Sequence, residues 1–272
     1  MKKTINNLFI ISLIAITLVS CYEHTEGCRD LNALNFDVVA DIDCMDKCCK
    51  YPEVNISFNI INDSVGVDSN TTLVNGFLDT FRITELKMYL SDFYLLNEYG
   101  DTFAINNSIK EGYYNSGEKV YKDTNYTVSK INLNIHNYNI GSIKKRDTYQ
   151  QMDFLFGLKP SVNNAILDKV KISNPLSTVE NDMYIDSIQG FYFLKLKIEF
   201  NDLSSKTFYI SGNENSVPIS LKSEFNLTER ENHYINLSLD VSRWILPMDL
   251  RKNNIEVEKY LKNHLSESFF LE

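Results

Sequence analysis

A chain of 272 residues with 27 Lys and Arg against 36 Asp and Glu has a formal charge of −9. It has no electrostatic means of gathering nucleic acid, and no basic stripe interrupts the acidic balance. Aromatic residues reach 12% while glycine occupies only 10 positions, which excludes a linker-rich chain and points to a packed globular body. Neither an internal repeat nor a low-complexity segment is found.

The first segment reads as a processing signal. Lys2 and Lys3 precede an apolar run from Leu8 to Leu18, broken only by Ser12 and Thr17. Such a run is too short for a stop-transfer helix and is expected to be removed. Its end, Leu18-Val19-Ser20-Cys21, resembles a bacterial lipobox. That resemblance implies cleavage after residue 20 and acylation of Cys21, so residues 1–20 are expected to be a lipoprotein signal peptide. Several acyl chains hold firmly, at roughly 0.8 kcal/mol per buried methylene. No later segment is apolar enough to span a bilayer, and the expected location is the cell envelope, as an outer-membrane lipoprotein on the periplasmic or surface side.

Residues 21–52 follow as a lipidated, disulfide-rich collar. Once Cys21 is assigned to lipid, Cys28, Cys44, Cys48 and Cys49 remain, and an even number in an exported chain predicts two disulfides. A bond between the adjacent Cys48 and Cys49 is strained, so each is expected to reach back, one to Cys28 and one to Cys44. Cys44-x3-Cys48 also has ligand-like spacing, but structural zinc needs reduced thiolates, which an oxidising compartment removes. Asp30, Asn32, Asn35, Asp37, Asp41 and Asp43 offer oxygens to calcium, yet lack EF-hand spacing and read as turn formers. The stretch Gly27-Cys28, Asp30, Ala33, Asn35-Phe36-Asp37 and Ala40 resembles a cysteine module of exported Bacteroidetes-type proteins, which implies a structural collar.

From residue 53 to 272 the chain reads as one all-β domain. Val54, Ile56, Phe58 and Ile60 alternate with polar residues, as do Ile131, Leu133 and Ile135. Tyr192, Leu194, Leu196, Ile198 and Phe200 repeat the pattern, and so do Ile235, Leu237, Leu239 and Val241. Period-two alternation of this kind predicts antiparallel strands with one buried face. Tyr99-Gly100-Asp101 and Ser211-Gly212-Asn213 are predicted turns, and the basic cluster Lys144-Lys145-Arg146 falls in another. Helical spacing is confined to Asn163–Val170 and Ile255–Leu265. The expected architecture is an antiparallel β-sandwich with short helical insertions and a short C-terminal helix, burying Trp244.

Three stretches go beyond a generic sandwich: "ITELKMYLSDFYLLNEYGDTF" (Ile83–Phe103), "MDFLFGLKPSVN" (Met152–Asn163) and "NPLSTVENDMYIDSIQGFYFLKLKIEF" (Asn174–Phe200). With a weaker likeness over Thr207–Ser211, they resemble, in order, the MbnP-like family of exported, copper-associated proteins. The resemblance implies a β-sandwich that binds copper and pairs with a periplasmic haem partner. Aligned on Met183 and Gly190, the family's tryptophan positions fall on Ile185 and Ser187, its alternative histidine or aromatic position on Tyr184, and its later histidine on Tyr209. Isoleucine cannot bind a metal, and neutral hydroxyls are poor copper ligands. The implied copper site is therefore expected to be degenerate.

Other ligands do not regroup in the sequence. His24, His136, His233 and His264 never stand two or four residues apart, and Met88, Met152 and Met183 read as core. Serine-hydrolase, zinc-protease and phosphate-loop motifs are absent, and the carboxylates Glu229 and Glu231 flank a predicted turn. The expectation is a non-enzymatic binding or interaction module with no cofactor, held to the membrane by its lipid and open to an envelope protein partner. The alternative is a copper-binding redox accessory whose site is rebuilt from His136 or His233 and which acts with a haem partner.

Overall fold

The computed structural model describes residues 23–229 and 231–272; the expected signal and Cys21, the expected acylation site, lie outside them. The chain divides into two compact units between Lys50 and Tyr51. In the first, the short strands β1 (Glu26–Gly27) and β2 (Ile42–Asp43) pair in parallel. Disulfides join Cys28 to Cys49 and Cys44 to Cys48, closing loops of sequence separation 21 and 4. Asn35 ties the same turn from both sides: its Nδ2 donates to the Cys48 carbonyl at 2.8 Å and its Oδ1 accepts from the Lys50 N–H at 2.8 Å. The acidic side chains are engaged by backbone. Asp30 accepts from the Asn32 N–H, Asp37 from that of Val39, and Asp43 from that of Met45. These are Asx turns, in which a short carboxylate replaces a backbone acceptor.

The second unit begins with β3 (Glu53–Asn62), β4 (Val65–Gly66), β5 (Thr72–Val74), β6 (Thr80–Asn97) and β7 (Thr102–Ala104). Next come β8 (Ser108–Asn115), β9 (Glu118–Asn125), β10 (Val128–Asn132), β11 (Asn137–Ser142), β12 (Thr148–Phe156) and α1 (Pro160–Asn163). They are followed by β13 (Tyr184–Asp186), β14 (Gly190–Phe200), β15 (Ser205–Ser211), β16 (Val217–Asn226) and β17 (His233–Asp240). The chain closes with α2 (Val241–Trp244), α3 (Asn254–His264) and β18 (Phe269–Leu271).

The larger sheet has the order β13-β14-β6-β12-β16, with β15 on β14 and with β5, β7 and β10 on β6. The smaller runs β11-β3-β17-β18, with β4 on β3. Most pairings are antiparallel, as the alternation predicts, but β3 and β17 run parallel, from His233 opposite Val54 to Asp240 opposite Ile61. Their inward rows, Val54, Ile56, Phe58 and Ile60 with Ile235, Leu237 and Leu239, are buried. Phe269 of β18 meets Phe58 within its own sheet and Phe154 of β12 in the larger one, at centroid distances of 6.3 and 5.5 Å. The edge-to-face contact with Phe154 binds the two layers beyond the area it buries. Trp244 is fully buried, and its indole N–H donates to the Leu261 carbonyl at 2.9 Å, tying α2 to α3.

Two sequence expectations shift. The strand expected through Ile135 stops at Asn132: Leu133 still donates to the Leu86 carbonyl at 3.1 Å, but the Ile135 N–H turns back to the Asn132 carbonyl at 3.2 Å, and Ile135 is left exposed. The helix expected over Asn163–Val170 is instead the single turn α1, begun by Pro160, which suits the first helical position. Beyond it Ile166 exchanges two backbone hydrogen bonds with Gly112 of β8, at 2.8 and 2.9 Å. The backbone that a helix would have used is claimed by that strand edge.

Residues 157–183 cross the face of the larger sheet turned away from the smaller one. The Tyr89 hydroxyl donates to the Pro175 carbonyl at 2.8 Å, and the Asn181 amide donates to the Tyr89 hydroxyl, Pro175 and Ser177. Asp182 accepts from Lys87 and Lys195 at 2.6 and 2.9 Å, and both lysines also meet Glu85. Partial burial pushes the Asp182 carboxyl up, but the hydrogen bonds and charge of the two lysines outweigh it and hold it at about 2.

A carboxyl depressed below its usual 3.8 contributes stability that is full above that pH and is lost as the pH falls toward 2. Its side chain is 42% exposed, so solvent screening reduces the contribution to about 1 kcal/mol. Asp182→Asn is therefore expected to lose about 1 kcal/mol in urea unfolding at pH 7, with the difference from the parent shrinking as the pH falls below 3.8.

Candidate functional site

The region that resembles the family's most specific motif is built around the β13–β14 hairpin. Its turn is closed by Asp186, whose Oδ1 accepts from the N–H groups of Ile188 and Gln189, both at 2.7 Å. Gly190 starts β14 at a φ of +75°, in the left-handed region that favours glycine. A Cβ there would stand 2.3 Å from Asn163 Oδ1 and 2.5 Å from its carbonyl oxygen. Asn163 needs that proximity: its Oδ1 accepts from the Phe191 N–H at 3.0 Å while its amide donates to Gln189 and Asn213. One buried side chain thus locks the hairpin to α1 and to the turn after β15.

The four aligned positions are spread along this framework. Tyr184 is half-buried and packs on Phe191 at 5.1 Å, and burial together with Asp186 raises its phenol above the usual value. A phenol kept protonated is a weak metal donor. Ile185 is half-buried, and Ser187 is exposed in the hairpin turn. Tyr209 stands opposite Lys195 on β15. Since Tyr184 pairs with Phe191, the two tyrosines are offset along β14 by four residues, about 13 Å at the strand rise. The ring of Tyr209 lies 4.5 Å from that of Tyr192, and its N–H donates to Glu258 Oε1 of α3 at 2.9 Å.

The histidines are separated by the same geometry. His136 adjoins Phe58: its carbonyl accepts from the Phe58 N–H, and its Nδ1 lies 3.3 Å from the Phe58 carbonyl. His233 pairs with Val54, on the other edge of β3. With β3 between them and four residues of offset along it, their rings stand on the order of 16 Å apart. His233 is buried, its Nε2 has no hydrogen-bond partner among the described residues, and burial lowers its pKa. His264 stacks on Tyr260 at 3.9 Å. Met88, Met152 and Met183 are fully buried in the core. Among the described residues, the clustered metal-type ligands are Asp43, Cys44 and Cys49, but both sulfurs are consumed in disulfides and offer no thiolate.

Sequence reasoning did not single out Asn163 as a clamp, Glu258 as the acceptor for an edge-strand N–H, or Glu111 on β8. Glu111 lines a cavity of about 640 Å³ beside the β13–β14 turn, together with Tyr113, Lys122, Asn164 and Ser187. Lone polar residues carry no spacing signal on a strand or a helix, so only tertiary packing gives these their partners.

The clamp gives a direct test. Gly190→Ala is expected to cost about 3 kcal/mol, combining backbone strain with a clash against Asn163. Asn163→Ala leaves the buried Phe191 N–H without its acceptor and is expected to cost about 2 kcal/mol. Urea unfolding of each variant beside the parent measures both.

Among solved structures, MbnP from Methylosinus trichosporium is similar at 14% identity and a TM-score of 0.46, covering 72% of this chain and 78% of that one. No curated protein sequence matches the chain. The MbnP family model matches residues 51–262, nearly all of the second unit and well over half of the chain. The chain belongs to the MbnP family.

Proposed function

We propose that this protein is an exported lipoprotein, anchored in the outer membrane through acylated Cys21, whose MbnP domain is a non-enzymatic binding module with a degenerate copper site. The observation that carries the reading is the set of side chains at the aligned positions. Tyr184, Ile185, Ser187 and Tyr209 supply one aliphatic group and three neutral hydroxyls, with the two tyrosines on different strands, paired to separate stretches of β14. A copper ion needs imidazole or soft sulfur donors converging within about 2–2.5 Å of one point. The framework that positions the hairpin is nevertheless intact, which supports retention of the domain for binding something else.

A second reading has one observation in its favour. His233 Nε2 is buried without a hydrogen-bond partner among the described residues, so a copper ion would give it one. A redox accessory acting with a haem partner would then use His233 with ligands other than His136, which is too far away.

Two measurements test the proposal. Protein beginning at Tyr22, loaded separately with Cu(I) and Cu(II) and then desalted, is expected to retain no stoichiometric copper by elemental analysis. One copper per chain, lost in His233→Asn, establishes the second reading instead. For the anchor, cells fed radiolabelled palmitate are expected to label the parent and not Cys21→Ala; equal labelling of both removes Cys21 as the acylation site.

A further inference from the structure

The cavity beside the β13–β14 turn has a chemical asymmetry that points to its occupant. Glu111 on β8 is only 6% exposed. Its Oε1 accepts from the Thr124 hydroxyl at 2.8 Å and meets Lys122 Nζ at 2.9 Å. Its other oxygen, Oε2, is buried and has no hydrogen-bond partner among the described residues. A buried carboxylate oxygen without a donor is costly and uncommon in folded proteins, so it calls for a water or a ligand.

The charges around it already balance. Lys122 neutralises Glu111, and Lys119, on the same hairpin, pairs with Asp168 at 2.6 Å. What Oε2 lacks is a hydrogen-bond donor, not a second cation. Donors on a neutral ligand mean hydroxyl or amide groups. Two tyrosines complete the setting: Tyr113 is 44% and Tyr114 71% exposed on the β8–β9 hairpin, and both line the cavity. Lys122 Nζ lies 5.7 Å over the Tyr113 ring, so the group that holds Glu111 also fixes that ring. Asn164 and Ser187 add an amide and a hydroxyl to the lining. The cavity, about 640 Å³, falls in the range of small-molecule sites.

We propose that this cavity binds a saccharide. A sugar presents hydroxyl donors to Glu111 Oε2, Asn164 and Ser187 while its C–H face packs on an exposed tyrosine ring, and it brings no charge to a balanced site. The groove beside Tyr209 is the weaker candidate, because Glu258 there already accepts from the Tyr209 N–H. The inference rests on the reading of the domain as a binding module, and it gives that module a ligand class.

The test is calorimetric titration of the full acylated chain, in a detergent without a sugar headgroup, with glucose, galactose, N-acetylglucosamine, maltotriose and cellotriose, and with putrescine as a cationic probe. At least one saccharide is expected to bind saturably, with affinity falling about tenfold or more in Glu111→Gln and in Tyr113→Ala and unchanged in Tyr209→Ala. Tyr113 is exposed, so Tyr113→Ala decides the matter if Glu111→Gln fails to fold. Absence of saturable binding up to about 10 mM of every saccharide, or binding indifferent to both variants, overturns the proposal, as does preference for putrescine. Copper retention in the separate loading experiment distinguishes the failures. No sugar and no copper sinks only the ligand class, whereas no sugar with one copper per chain sinks the module reading as well.

Discussion

The sandwich depends on one strand. β6 runs for 18 residues, beyond the usual strand length of 3–10, and a ribbon that long cannot stay straight against a twisted sheet. Each half of its ladder is interrupted by a bulge. Its first half pairs with β14, with an extra residue near Thr84. Its second half pairs with β12, with an extra residue at Asp92, which takes a φ of +59°. The bulged Asp92 stays anchored, since its N–H donates to the Thr127 carbonyl and its carboxylate meets Lys159 at 2.7 Å. Bulges that re-aim a strand are designed features of sheets. Here they let one strand order β14, β12, β10, β5 and β7 about itself.

From that spine the two faces diverge. One face closes on the smaller sheet through Phe154 and Phe269. The other is roofed by residues 157–183, which bury Leu158, Val162, Leu176 and Met183 and add polar ties: Tyr89 to Pro175, Asn181 to three acceptors, and the square of Lys87, Lys195, Glu85 and Asp182. A segment with little regular structure can lie against a sheet only if its backbone groups find partners. Asn181 and Asn163 supply several of them. The side chains that make the family motif recognisable therefore have structural roles of their own. Gly190 admits Asn163, and Met183 fills the core.

This separation of scaffold from outward side chains keeps the MbnP domain recognisable whatever residues stand at positions such as Tyr184, Ile185, Ser187 and Tyr209. Function resides in sites grafted on folds, and a hairpin held by Asn163 stays in place whatever its outward residues become. The same hairpin places Ser187 at the cavity that Glu111 lines.

By itself the sequence determined the layers. Period-two alternation located β3, β14 and β17 because side chains on a half-buried strand face water and core in turn, and that pattern is local. The cysteine count determined two disulfides, and the motif spacing determined the family. Tertiary structure decided the rest. It chose Cys28–Cys49 and Cys44–Cys48 between two connectivities that chain order leaves equal. Likewise it set β3 parallel to β17 across some 180 residues, and it replaced an expected helix with an edge pairing to Gly112. It kept His136 and His233 apart and gathered Glu111, Tyr113 and Ser187, which lie as much as 76 residues apart in the chain. The physical reason is common to all of these: pairing partners and convergent side chains are selected by backbone hydrogen bonding and burial among distant segments, and neither leaves a periodic trace along the chain.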